Sequence, residues 1–145
     1  MKKNELLLMS IKTKYAKEIF DGTKRYEFRR KSIGDNNCHK RIYIYSSGEE
    51  KAIIGYMVVD EIISGSLEDI LVETKTSNSE EMIDYYRGVS VCYALHIGEY
   101  HKFIKPIKLT DIKEIDREFV APQFYRYIKA DEVLYKLLGE MIYDS

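Results

Sequence analysis

Gly22-Thr23-Lys24-Arg25-Tyr26-Glu27-Phe28-Arg29-Arg30 alternates apolar and charged side chains behind a glycine. A strand of that pattern turns Tyr26 and Phe28 to one face and Arg25, Glu27 and Arg29 to the other. A glutamate between two arginines on one face neutralises them, and it can hold a guanidinium in a fixed pose for a polar ligand. The same alternation also describes an ordinary solvated strand face with cross-strand ion pairs.

The flanking sequence gives the strand its setting. Leu6-Leu7-Leu8-Met9-Ser10-Ile11 is a short apolar run of the kind that forms a buried strand. Thr13 is placed to cap a helix from Lys14 to about Asp21, with Tyr15, Ala16, Ile19 and Phe20 as its apolar stripe and Gly22 just past its end. Strand, helix and strand then bring Lys12, Lys14, Lys24 and Arg29 into one neighbourhood.

Beyond a polar turn around Gly34-Asp35-Asn36-Asn37, Arg41 to Ser47 and Lys51 to Ile63 read as strands. Gly55, inside the second of these, marks a bulge or a close backbone approach. Ser66-Leu67-Glu68-Asp69 has capping-box character and opens a helix to about Thr74. A second helix covers Glu80 to Tyr86 and stops at Gly88. Val89 to Ile97 and Tyr100 to Leu109 are extended around a Gly98-Glu99 turn or bulge, with Pro106 restricting the latter to an edge or a strand end. After the segment at Ala121 to Ile128, Asp131 to about Tyr143 has the pattern of a closing amphipathic helix, with Val133, Leu134, Leu137, Leu138 and Met141 as its apolar side.

The chain of 145 residues, 32% charged and 45% hydrophobic, has the composition of a single soluble globular domain over 1–145. No apolar run approaches the length that crosses a bilayer, so no membrane association is expected. Two cysteines, Cys38 and Cys92, without CxxC spacing fit a reducing, cytoplasmic setting. The Cys38-His39 pair has no second pair at metal-ligand spacing, so neither a metal nor another cofactor is expected. The net charge of −1 hides an asymmetry, because residues 1–51 carry 13 Lys and Arg against 7 Asp and Glu. A basic first third carrying the motif suits a phosphate-bearing partner, provided the excess collects on one surface.

Four blocks carry a family resemblance. They are Leu7 to Lys12 with Tyr15-Ala16, Ile19-Phe20 and Gly22-x-Lys24-x-x-Glu27-x-Arg29; then Ile42 to Ser47; then Ile54-Gly55-Tyr56; and finally Ala121-Pro122-Gln123-Phe124. In this order, spanning about Leu6 to Ile128, they resemble ASCH domains of the PUA-like superfamily. The resemblance implies an α+β fold, a PUA-like mixed β-barrel of about five to seven strands surrounded by three or four short helices. It also implies RNA or a modified nucleotide as partner, in a small binding protein of regulatory type. Near Gly55 it implies a barrel bend where a ligand comes close.

The candidate ligand-binding residues are Lys12, Lys24, Glu27 and Arg29, with Ser46, Ser47, Gln123 and Tyr127 on the rim. The cations would neutralise phosphates, while Glu27 would orient Arg29 or accept from a base amino group. Two catalytic alternatives stand beside binding. Some ASCH proteins are amidohydrolases on acylated cytidines that use a lysine, a threonine and a glutamate. Their lysine matches Lys24, but their threonine nucleophile falls at Glu27, and the glutamate falls near Glu80 or Glu81. Thr13 and Thr23 are hydroxyls at the wrong register. A ribonuclease would need a base, an acid and phosphate clamps, for which His96 and His101 with Lys24 and Arg29 are the candidates. A protein-interaction module without a pocket is the remaining alternative.

Overall fold

The computed structural model describes residues 5–140. Six strands form one mixed sheet in the order β2-β5-β4-β3-β1-β6. They are β1 (Glu5–Lys12), β2 (Tyr26–Arg29), β3 (Arg41–Ser47), β4 (Ala52–Gly65), β5 (Cys92–Lys108) and β6 (Tyr125–Lys129). Around them lie α1 (Thr13–Phe20), α2 (Leu67–Thr74), α3 (Glu80–Tyr85), α4 (Leu109–Ile115) and α5 (Val133–Glu140). The α+β class and the strand number are as expected. The sheet is open, with β2 and β6 at its edges, where the resemblance implied a barrel.

The centre of the sheet is buried on both faces. β1 runs parallel to β3, with Leu7 beside Ile42 and Lys12 beside Ser47. Leu7, Met9 and Ile11 join Ile42 and Ile44 in one core, while Leu8 joins Tyr43 and Tyr45 in the other. Strands covered on both faces carry continuous apolar runs, which is why these segments lack polar alternation.

The Gly55 position is a bulge, and its effect is visible in which residues share a core. Before it, Ala52 and Ile54 face the first core; after it, Met57 and Val59 do, a change of parity that one extra residue produces. A side chain at Gly55 would collide with the His101 carbonyl and stand 2.9 Å from the Phe20 ring. The close approach is therefore made by the protein's own β5 and α1, not by space open to a ligand.

The helix ends follow local chemistry. Ser66 and Asp69 form the expected reciprocal cap on α2. Ser79 accepts from the Met82 amide at the start of α3. Thr13 is the first residue of α1 and not its cap; its hydroxyl donates instead to the Ser47 carbonyl at 2.9 Å. β5 passes through Gly98 without breaking, and only its first part, Tyr93 to His96, pairs with β2. Pro106 thus sits in the half of β5 that β4 alone flanks, where its missing N–H leaves no ladder bond unmade. The closing helix runs from Val133 to Glu140, with Leu134 and Leu138 buried; positions 141–143 of the expected helix lie outside the described residues. Among the described residues no helix is long and apolar enough to cross a membrane.

Candidate functional site

β1, α1 and β2 form one wall of a cleft of about 960 Å³, and the end of α2 with α3 forms the other. The first wall exists because α1 is short. Its end folds back as the amides of Thr23 and Lys24 both donate to the Glu18 carbonyl, at 3.1 and 3.0 Å. Gly22 makes this turn at φ +83, a left-handed angle that costs glycine little. Lys24 then enters β2 facing the cleft.

Glu27 lies between two cations. Its Oε2 is 2.7 Å from Arg29 Nη2 and its Oε1 is 3.6 Å from Lys24 Nζ, and the residue is only 5% exposed. A carboxylate this deep is tolerable because both oxygens meet positive charge. Arg29 is held from three sides: Nη2 also donates to the Ser10 carbonyl at 2.9 Å, and the guanidinium lies 4.8 Å from the Phe124 ring centroid. Ser10 is itself tied to that loop, its hydroxyl donating to the Pro122 carbonyl at 2.6 Å. Lys24 Nζ sits 5.3 Å from the ring centroids of both Tyr15 and Phe28, where the π faces attract it.

The second wall is fastened to the first through α3. The Tyr15 phenol donates to Glu81 Oε1 across the cleft. That bond, followed by burial and the Glu81 charge, pushes the Tyr15 pKa up to about 12. The same bond, with the fields of Lys14, Lys24 and Lys12, holds the Glu81 carboxyl below its ordinary value. Further along, the Tyr85 hydroxyl donates to the Phe28 carbonyl at 3.0 Å, and Arg30 Nη1 donates to the Tyr85 and Arg87 carbonyls at 2.8 and 3.0 Å.

Six of the eight sequence-derived candidates line this cleft: Lys12, Lys24, Glu27, Arg29, Ser47 and Gln123. Ser46 does not; it is fully buried and donates to Thr13 Oγ1 at 2.9 Å. Tyr127 does not either, and its hydroxyl accepts from Asn37 Nδ2 at 2.8 Å. The histidines are also elsewhere. His96 pairs with Asp60 at 2.6 Å and His101 stacks on Tyr56, and neither lines the cleft. The hydroxyls are committed too, since Thr23 Oγ1 donates to Asp21 Oδ1 at 2.6 Å and Thr13 is tied to Ser47.

The basic excess of the first third is only partly gathered here. Lys12, Lys24, Arg25 and Arg29 line the cleft, but so do Glu18, Glu27, Glu81 and Asp84, so the lining is balanced in charge. The cations come from the first third, while Glu81 and Asp84 come from the acidic remainder and face them from α3. The sequence reading missed Tyr15, placed in the apolar stripe of the first helix, and Tyr85, placed within the helix from Glu80 to Tyr86 without a role. It met Glu81 only as a possible amidohydrolase partner.

A family model described as ASCH domain matches residues 9–116. An ASCH domain-containing ribonuclease from Zymomonas mobilis is 28% identical over 128 residues, which span 86% of this chain and 85% of that protein. The crystal structure of a mutant form of ASCH from Zymomonas mobilis superposes with a TM-score of 0.80 at 26% identity, covering 97% of this chain and 99% of that one. The N-terminal domain of Staphylothermus marinus McrB shares the fold alone, with a TM-score of 0.53 at 13% identity over 90% of this chain and 91% of that one. The chain belongs to the ASCH domain family.

Proposed function

We propose that this ASCH protein binds single-stranded RNA or a nucleotide in the cleft beside β2, within a reducing cytoplasm where Cys38 and Cys92 remain thiols. The observation that carries the reading is the immobilised pair of cations. Glu27 holds Arg29 and Lys24 on either side of one carboxylate in the cleft lining, with the Tyr15 and Phe28 rings beside Lys24. A fixed guanidinium fork suits a phosphate, and a neighbouring aromatic ring suits an unpaired base. Aromatic rings beside fixed cations take bases that are not paired, so single strands are the match proposed.

A ribonuclease reading stands second, favoured by the Zymomonas mobilis relative. If it holds, His96 and His101, which do not line the cleft, take no part, and Lys24 and Arg29 stabilise charge on the phosphate. Amidohydrolase chemistry gains no support, because the position that would carry the nucleophile is Glu27 with both oxygens engaged.

The test is a titration of the wild type, Lys24→Ala and Arg29→Ala with single-stranded RNA and with a nucleoside panel, at two salt concentrations, with gel analysis of the RNA. Binding that weakens in both variants, with a log–log salt slope of about −0.7 per phosphate contacted, supports the proposal. Unchanged affinity in both variants, or no wild-type binding at low salt, rejects it. Cleaved RNA that depends on Lys24 moves the assignment to the ribonuclease.

A further inference from the structure

Glu81 stands out among the acidic groups of the cleft. Its carboxylate accepts from the Tyr15 phenol on the opposite wall, and Lys14, Lys24 and Lys12 all act on it electrostatically. It occupies the kind of position that an anionic ligand of the basic wall would take. Its neighbour Glu80 sits on the same helix without lining the cleft.

The helix that carries Glu81 is anchored at its far end. Met82 packs on the core cluster that Tyr26 and Phe28 also join, Tyr86 just past the helix is buried there, and the Tyr85 hydroxyl and Arg30 add polar ties. Glu81, one turn earlier, is exposed, and an exposed side chain changes rotamer without moving its helix. Without Glu81 and Asp84, the cleft lining would carry four basic side chains against Glu18 and Glu27 alone.

We propose that Glu81 is a built-in competitor for the phosphate of the bound strand, and that its side chain, closed on Tyr15, is the latch. In the closed form Glu81 accepts from the Tyr15 phenol and lies in the field of Lys14, Lys24 and Lys12. A strand phosphate and the Glu81 carboxylate cannot both hold that seat, since like charges at hydrogen-bond range repel. Ligand entry therefore breaks the Tyr15–Glu81 bond, turns the Glu81 side chain outward and leaves the basic wall to the phosphate. The affinity measured for the closed protein is the intrinsic affinity reduced by the fraction in which the latch is open. This inference rests on the RNA-binding reading for its ligand, while the latch itself can be tested with a simple anion.

The experiment compares the wild type, Glu81→Gln and Glu80→Gln. The two variants remove one negative charge each from the same helix, so a mere change in overall field affects both. Binding is read with single-stranded RNA and, separately, with inorganic pyrophosphate, while the Tyr15 ring signal is followed by NMR in proteins with labelled tyrosine. The latch predicts that Glu81→Gln binds both probes about fivefold to tenfold more tightly, that Glu80→Gln changes them less than twofold, and that pyrophosphate shifts the Tyr15 signal of the wild type. Equal behaviour of the two variants, or weaker binding by Glu81→Gln, overturns it. If no protein binds RNA but Glu81→Gln alone gains pyrophosphate, the latch stands and the RNA reading falls. If neither probe binds any of the three proteins, the latch falls as well.

Discussion

Glu27 Oε2 lies 2.7 Å from Arg29 Nη2, and the two residues share one face of a four-residue edge strand. The pair is nearly closed to solvent, with side-chain exposures of 7% for Glu27 and 15% for Arg29. An ion pair so placed does two jobs at once. It makes a buried carboxylate tolerable, and it fixes a guanidinium whose Nη2 also reaches the Ser10 carbonyl of β1. The cleft floor is thus organised before any ligand arrives.

Removing the carboxylate should cost stability as well as order. Glu27→Ala leaves Arg29 and Lys24 facing each other without an intervening anion, and is expected to lower unfolding free energy by about 3 kcal/mol, the low end for breaking a buried pair. Glu27→Gln keeps the shape and one acceptor and should cost roughly half as much. Urea unfolding of the three proteins measures this, and equal midpoints would show that the pair contributes nothing.

Arg29→Lys conserves charge but not the fork. Lysine cannot reach Glu27 and the Ser10 carbonyl in the same plane while stacking on Phe124. The expected result is RNA affinity reduced by about tenfold, roughly 1.4 kcal/mol, with the fold intact by circular dichroism. Retained affinity would mean that only the charge matters at this position.

Gly55→Ala should destabilise the protein by at least about 2 kcal/mol, because the new Cβ meets the His101 carbonyl and the Phe20 ring at a bulge that cannot widen without shifting β5. Thermal unfolding reads this directly. A variant as stable as the wild type would mean that the bulge is soft.

How much of this was legible beforehand follows from how local each feature is. The Ser66 cap, the Arg41 to Ser47 strand and the Glu27–Arg29 pair depend on residues a few positions apart, and alternation or capping chemistry specifies them. Tyr15 and Glu81 are 66 positions apart, and nothing in either segment announces that α3 docks against α1. Ser46 failed as a rim residue for a related reason. Its strand is covered on both faces, so a polar side chain there turns to Thr13 rather than to solvent. The histidines were candidates because a ribonuclease needs a base and an acid, but the His96 side chain pairs with Asp60 and the sheet register sets His101 opposite Tyr56.

The Tyr15–Glu81 bond has a spectroscopic signature. Tyr15 has its pKa raised to about 12, so the bond's contribution to stability is complete below the ordinary tyrosine value and is lost as pH rises through about 12. Glu81 is shifted the other way, so its contribution is present above the ordinary glutamate value and is lost as pH falls through the lowered one. Burial also raises Tyr43, Tyr45, Tyr85 and Tyr86, so ultraviolet titration of tyrosinate should show several late phenols in the wild type and one fewer in Glu81→Gln. Superimposable curves would place Tyr15 away from Glu81 in solution.

The central claim is that the ligand lies in the cleft between β2 and α3. The most direct check is an NMR titration of labelled protein with a short single-stranded oligoribonucleotide, following backbone amides and the arginine and tyrosine side chains. The account predicts that the largest shifts fall on Lys12, Tyr15, Lys24, Arg29 and Glu81, with Ser46, His96, His101, Tyr127 and the exposed Lys136 of α5 nearly unmoved. Shifts concentrated on the latter set, or spread evenly over the surface, would contradict it.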